Sequence, residues 1–126
     1  MDFDAVNPDD YDGLYIPGGR GAEYIRLEPR VLEIVKKFFQ DKKPIAMLCH
    51  GPQVMATAGV LRGVTCTAYK AIKPEMEMAG AIFQEVPNTQ SVVDPQHRIV
   101  SGRDWITQPY VVRDFLKLLG VTSFSS

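Results

Sequence analysis

The residues best suited to chemistry in this 126-residue chain stand together at positions 46–53, whose sequence is AMLCHGPQ. Cys49 ends an apolar run that is typical of a buried parallel strand, and Pro52 suits the first position of a following helix. A strand, a sharp turn and a helix in this order form a nucleophile elbow, which presents a side chain at the carboxyl end of the sheet. The pattern therefore predicts that Cys49 is a nucleophile.

Two neighbours of Cys49 are expected to favour its thiolate form. The positive end of the dipole of the following helix would lie next to the sulfur, and a protonated His50 would add a second positive charge. Adjacent side chains point apart in an extended chain, so His50 reaches the sulfur only if the turn is strained; otherwise it acts on the substrate from the side. The alternative for Cys49 is a small hydrophobic core residue, but a glycine directly after Cys-His favours a special turn.

A second glycine-rich segment, PGGRGAE at 17–23, follows the short apolar run at 13–16. Its spacing fits neither a dinucleotide-binding fingerprint nor a phosphate loop. If the two strands end side by side, the N–H groups of Gly19 and Arg20 would join that of His50 in an oxyanion hole. Glu23 would then lie at the same edge, either as a carboxylate that orients a histidine or as a solvated residue at a helix start.

The remaining cysteine and histidine carry no such signal. Cys66 alternates with threonines in a strand-like run, so we predict a core residue. His97 lies in the polar segment 94–98, and we predict a solvated loop residue. Because adjacent residues do not readily ligate one zinc ion and the spacings match no ligand pattern, we predict no metal site.

The rest of the chain alternates between strand and helix patterns. Strands are predicted at 13–16, 44–49, 64–68, 81–86, 91–93 and 98–101, and helices at 29–40, 53–61, 74–80 and 109–119. The helix at 29–40 is amphipathic, whereas that at 53–61 is apolar nearly all round and should be buried. This alternation is typical of an α/β fold with a mostly parallel sheet. We expect one domain over 1–126, with a loose tail at 121–126.

Composition excludes several classes of protein. Hydrophobic residues make up 45% and charged residues 23%, which is globular usage, and the net charge is −1 without a basic cluster. Neither nucleic acid nor a membrane is therefore an expected partner. The acidic start does not resemble a targeting peptide, and two cysteines without an export signal favour a reducing compartment, so we expect a cytoplasmic protein.

Three segments in this order resemble the ThiJ/PfpI superfamily, also called the DJ-one/PfpI family, and especially its PfpI-type branch. They are YDGLYIPGGR at 11–20, KPIAMLCHGPQ at 43–53 and LRG at 61–63, and the resemblance extends over about residues 11–120. It implies a flavodoxin-like three-layer α/β sandwich. The family's first strand, helix and strand have no counterpart, nor has the glutamate there that hydrogen-bonds the nucleophile, so we expect an N-terminally truncated version of the fold.

The resemblance also implies roles for individual residues. Cys49 would be the nucleophile, His50 its partner, and Glu23 the third member of a triad, supplied by a neighbouring subunit of a homo-oligomer that shares its active sites. Residues expected to form the oxyanion hole or bind substrate are Gly18, Gly19, Arg20 and Gly51. The activities implied are peptide hydrolysis, glyoxalase conversion of methylglyoxal to lactate, and deglycase removal of glycation adducts. All begin with thiolate attack on a carbonyl and use no cofactor.

Two other functions stay open at this stage. A non-catalytic redox sensor or chaperone-like relative, or an incomplete fragment, would be compatible with a missing start and an oxidisable thiol. A glutamine amidotransferase-like domain also uses an elbow cysteine, but that class takes its histidine from a later segment, and residues 102–107 contain none.

Overall fold

The structure, a computed structural model, describes residues 8–17 and 26–120. Its helices are α1 (Pro29–Gln40), α2 (Pro52–Ala58), α3 (Lys73–Met78) and α4 (Gln108–Leu118). Its strands are β1 (Leu14–Ile16), β2 (Ile45–Leu48), β3 (Thr65–Cys66), β4 (Ile82–Phe83), β5 (Val92–Asp94) and β6 (Ile99–Gly102). Short 3-10 helices occupy Pro8–Asp10, Lys70–Ile72 and Trp105–Thr107.

The central sheet has the strand order β1-β2-β6-β5. The first three strands are parallel, and β5 pairs antiparallel with β6 at one edge. β3 and β4 form a separate parallel pair. Side chains join this pair to the main sheet, because Asp94 accepts the Thr65 N–H at 2.8 Å and Ser101 Oγ accepts the Thr67 N–H at 2.9 Å.

Strand β2 shows most clearly how the layers are arranged, since all four of its residues are buried. Ile45 and Met47 belong to the core beneath α1 and α2, whereas Ala46 and Leu48 pack with Val111 of α4 on the opposite face. Successive side chains of a strand point to opposite faces, so an unbroken apolar run is what a strand between two helical layers requires. The predicted α/β sandwich with a mostly parallel sheet is confirmed.

Several elements are shorter than predicted. β3 was expected over 64–68 but covers only Thr65–Cys66, because the next N–H groups bond to Ser101 Oγ and, at Tyr69, to the carbonyl of Cys49. The buried helix expected over 53–61 ends at Ala58, where Gly59 adopts a left-handed φ of 77° and closes the helix. None of the helices within residues 8–17 and 26–120 has the length and apolar composition needed to cross a bilayer.

Candidate active site

Cys49 lies at the end of β2 in a strained backbone conformation. Its φ is +53°, in the left-handed region that residues other than glycine adopt uncommonly. Its N–H donates to the carbonyl of Gly102 at 3.1 Å, and its carbonyl accepts the N–H of Tyr69 at 3.0 Å. Strain of about 1–3 kcal/mol persists only where the surroundings hold it. Here the last residue of β6 and the segment after β3 hold the two backbone groups of Cys49, so the predicted sharp turn is confirmed.

Gly51 allows this turn to close against β1. Its N–H donates to the carbonyl of Leu48 at 2.8 Å, and a Cβ at this position would lie 2.6 Å from the carbonyl oxygen of Ile16. Only glycine fits there without a backbone shift. The contribution of Gly51 that the structure shows is steric, since its N–H already closes the turn; its place in an oxyanion hole or substrate-binding site stays a prediction.

His50 follows Cys49 on the elbow and is half-buried. Its ring packs against that of Tyr69, with centroids 5.0 Å apart and planes tilted by 40°. Its Nδ1 atom is buried and has no hydrogen-bond partner among the residues that the structure describes. Within the same part of the chain, no backbone carbonyl accepts the His50 N–H. Buried polar atoms are nearly always satisfied, so the imidazole calls for a further partner at this edge.

The electrostatics of Cys49 differ from the expected thiolate stabilisation. Half-burial of the sulfur raises the pKa of the Cys49 thiol, and the negative charge of Asp104 raises it further. The helix that was to stabilise the thiolate has only seven residues. Within the described part of the chain, both effects therefore favour the protonated thiol over the thiolate.

Sequence reasoning missed Asp104. It follows β6, and its carboxylate accepts the N–H of Ile106 at 3.0 Å, which begins the 3-10 helix Trp105–Thr107. The available signal was an aspartate two residues after a buried strand and directly before the next turn. Because β6 lies beside β2, that position brings its charge to the elbow.

The segment with Gly18, Gly19, Arg20 and Glu23 lies outside the described residues. β1, which leads into it, pairs with β2 in the register Ile16 to Met47. The two strands therefore end side by side, as the sequence analysis required. The oxyanion and triad roles of that segment stay predictions.

The second cysteine and histidine have structural environments. Cys66 is fully buried, and burial followed by the charge of Asp94 raises its pKa to about 12, so the predicted core role is confirmed. His97 lies in the turn between β5 and β6, as predicted, but it is partly buried and not fully solvated. Its Nδ1 lies 2.9 Å from Asp94 Oδ2, and its ring stacks on Phe39. Within residues 8–17 and 26–120, no group of three or more His, Cys, Asp or Glu side chains is placed to hold a metal ion.

Comparison with known proteins places these features in a family. The DJ-1/PfpI family model matches residues 1–118. A deglycase from Pyrococcus abyssi is 51% identical over 123 residues, which cover 93% of this chain and 68% of the relative. Protein DJ-1 homolog D from Arabidopsis thaliana is 41% identical over 94% of this chain and 30% of its own length.

A solved structure gives the same answer for the fold. A two-domain protein from Anabaena variabilis, with DJ-1/ThiJ/PfpI-like and ferritin-like domains, superposes with a TM-score of 0.86 at 26% identity, over 98% of this chain and 35% of that one. The chain thus spans about two thirds of the archaeal deglycase and about a third of the two larger proteins. Because the family model matches residues 1–118 of the 126 in this chain, the chain belongs to the DJ-1/PfpI family.

Proposed function

We propose that this protein is a cysteine-dependent enzyme of the deglycase or glyoxalase type, which acts through Cys49 on reactive carbonyls or on their adducts with proteins. The observation that carries the proposal is the left-handed φ of +53° at Cys49. Lys42 and Arg98 adopt a similar φ, but only Cys49 combines it with a thiol at the carboxyl end of a central parallel strand, where open α/β sheets bind ligands. Family membership and a 51% identical relative named as a deglycase support the same chemistry.

The proposed reaction starts when the Cys49 sulfur attacks the aldehyde carbon of a substrate such as methylglyoxal. A carbon–sulfur bond forms, and the carbonyl oxygen becomes the hydroxyl of a hemithioacetal. His50 then moves the proton on this carbon to the neighbouring ketone carbon, while the hemithioacetal hydroxyl proton passes to the ketone oxygen, so that the first carbon becomes the carbonyl of a thioester. Water releases lactate and restores the thiol. Methylglyoxal and water together contain the atoms of lactate, so the series of reaction steps is redox-neutral and needs no external oxidant.

A glycated amine reaches the same hemithioacetal through a different first step. The Cys49 thiol displaces the amine from the hemiaminal carbon, which gives the same hemithioacetal and returns the amine with the thiol proton. The donor nearest to the developing oxyanion would be the N–H of His50, which no backbone carbonyl in the described part of the chain accepts. A single arrangement of residues therefore serves free aldehydes and protein adducts.

The raised pKa of Cys49 makes a base necessary, because the thiol is mostly protonated at neutral pH. We propose His50 as that base. A carboxylate on its buried, unpartnered Nδ1 would increase its basicity, and Glu23 of a neighbouring copy is the residue that we assign to this role. A protonated thiol also reacts slowly with peroxide, which disfavours a redox sensor.

The test compares methylglyoxal loss and lactate formation, without added thiol, in the wild type, Cys49→Ala and Cys66→Ala. The Cys66 variant is the matched control, because it removes the other thiol from a fully buried position outside the elbow. We expect lactate formation to be lost only in Cys49→Ala. Equal rates in wild type and Cys49→Ala would overturn the proposal. Release of free amine from a methylglyoxal-treated N-acetyl-lysine, measured in the same variants, tests the deglycase arm.

A further inference from the structure

A cavity of about 110 Å³ lies at the carboxyl ends of β3, β4 and β6. Its apolar lining includes Ala68, Phe83 and Val86, and its charged lining consists of Lys70, Glu85 and Arg103. The carboxyl ends of strands are where open α/β sheets bind ligands. Because a water molecule in the liquid occupies about 30 Å³, the cavity has room for a single carboxylate or phosphate group with a few further atoms.

The two segments that line this cavity are the same two that hold the Cys49 backbone. Tyr69, between Ala68 and Lys70, donates its N–H to the Cys49 carbonyl at 3.0 Å. Gly102, directly before Arg103, accepts the Cys49 N–H at 3.1 Å. The cavity therefore adjoins the elbow, because each of the two lining segments has, next to a lining residue, one residue that is hydrogen-bonded to the backbone of Cys49.

The cavity carries an excess of positive charge. Glu85 is paired with Lys73 at 2.9 Å, and Lys73 first, then Lys70 and Arg103, lower the pKa of its carboxyl group. Three cations thus lie near this carboxylate, although Asp104 offsets part of the charge of Arg103 and Glu77 part of that of Lys73. Lys70 forms no ion pair within 4.0 Å in the part of the chain that the structure describes, so its charge is available to a ligand.

Arg103 is fixed in place on the other side. Its Nη1 donates to the carbonyl of Val86 at 3.2 Å, and its Nε lies 3.6 Å from Asp104 Oδ2. A guanidinium that is already oriented loses little freedom when it binds an oxyanion.

We propose that this cavity binds the anionic group, carboxylate or phosphate, of an aldehyde substrate whose carbonyl reacts at Cys49. The inference rests on the proposed function and narrows it to carbonyl compounds that carry an oxyanion. Lys70 and Arg103 bind the anion, and the negative charge of Glu85 weakens that binding.

The kinetic test compares kcat/KM for three 2-oxoaldehydes, which are neutral methylglyoxal, the carboxylate 4,5-dioxopentanoate and the phosphate ester hydroxypyruvaldehyde phosphate. In Lys70→Gln we expect the ratio of anionic to neutral kcat/KM to fall about fivefold, the upper range for one exposed charge. In Glu85→Gln the ratio should rise, because a competing carboxylate is removed and Lys73 is released. Lys36→Gln, on the exposed side of α1, is the matched control and should leave the ratio unchanged. Salt should lower only the rates of the anionic substrates. Unchanged ratios in both cavity variants, or opposite signs, would overturn the proposal.

A binding test separates this inference from the proposed function. Inorganic phosphate and acetate are titrated into Cys49→Ala, with and without Lys70→Gln, and backbone NMR shifts are recorded. Shifts at 67–70, 83–86 and 103 that weaken with Lys70→Gln support the site even if no substrate turns over, in which case only the proposed function fails. If methylglyoxal turns over but neither anion moves these resonances, the anion site is refuted. The anion that binds more tightly indicates whether carboxylate or phosphate is the natural group.

Discussion

Replacing Gly51 with alanine probes the elbow with one methyl group. The added Cβ would lie 2.6 Å from the carbonyl oxygen of Ile16 and 3.1 Å from the backbone N and O of Leu48. All three atoms belong to the backbone, so no side-chain rotation relieves the contact. Reaching even 3.0 Å requires a shift of about 0.4 Å between the elbow and β1. Overpacking of this kind costs about 1–3 kcal/mol.

Thermal unfolding and turnover measure the two consequences of this change. For a domain of this size, about 2 kcal/mol corresponds to a decrease in Tm of roughly 8 °C. Gly59→Ala is the matched control. It also adds one methyl group after α2, where φ is +77° but no atom lies within 4 Å of the new Cβ. It should lose about 1–2 kcal/mol from backbone strain alone and keep its methylglyoxal turnover below its Tm, whereas Gly51→Ala should lose turnover too.

The direction in which Gly51→Ala changes the Tm decides whether the steric argument holds. Gly51 has a helical backbone, with φ −50° and ψ −40°, which alanine adopts readily. Without a steric clash, alanine would therefore stabilise the protein by about 0.4–1 kcal/mol through the unfolded state. A Gly51→Ala variant with an unchanged or higher Tm, or one with full turnover, would refute the view that β1 and the elbow are in closest possible contact.

Three further substitutions test the surroundings of the elbow. Asp104→Asn removes a charge that raises the pKa of Cys49, so the pH profile of iodoacetamide alkylation should move to lower pH; an unmoved profile would exclude the electrostatic link. Asp94→Asn removes the charged acceptor of three hydrogen bonds and should cost about 2–4 kcal/mol in urea unfolding. Burial opposes ionisation of Asp94, but these bonds lower its pKa overall. Its contribution is therefore complete above the pKa of an unfolded aspartate and is lost as pH falls through the lower folded value, a dependence that Asp94→Asn should lack. Ser101→Ala leaves the buried N–H of Thr67 without its acceptor and should cost about 1–3 kcal/mol, measured in the same way.

Local sequence signals were sufficient to predict the elements and their order. The apolar run ending at Cys49 and the glycine at position 51 predicted a buried strand and a special turn, because both depend on neighbouring residues only. The boundaries of β3 could not be predicted in this way. Its ladder stops at Cys66 since the next N–H finds Ser101 Oγ, 34 positions away in the chain. Such a partner is invisible until the topology is known.

The surroundings of single titratable residues were harder to predict for the same reason. His97 looks like a polar loop residue in the sequence, yet it is ordered by Asp94 and Phe39, and the second of these lies on α1. Asp104 lies 55 positions after Cys49, and only the pairing of β6 with β2 brings its charge to the sulfur. Motif reasoning names the nucleophile, but the protonation state depends on residues that the sheet brings together.

The geometry of Cys49 therefore favours reaction with an electrophile, whereas its electrostatic surroundings disfavour the reactive thiolate. Backbone strain keeps the side chain at the open edge of the sheet, where an electrophile can reach it. Burial and Asp104 raise the pKa of the Cys49 thiol, which disfavours the thiolate that oxidants attack. A thiol held in this way becomes nucleophilic when a base takes its proton or when a bound group offsets the carboxylate. Because Asp104 is also in contact with Arg103, an anion in the neighbouring cavity that draws on this guanidinium would weaken its grip on Asp104. The anion would then make the thiolate less stable, so under the proposed function we expect deprotonation of Cys49 to depend on His50 and on a partner for its buried Nδ1, and not on substrate charge.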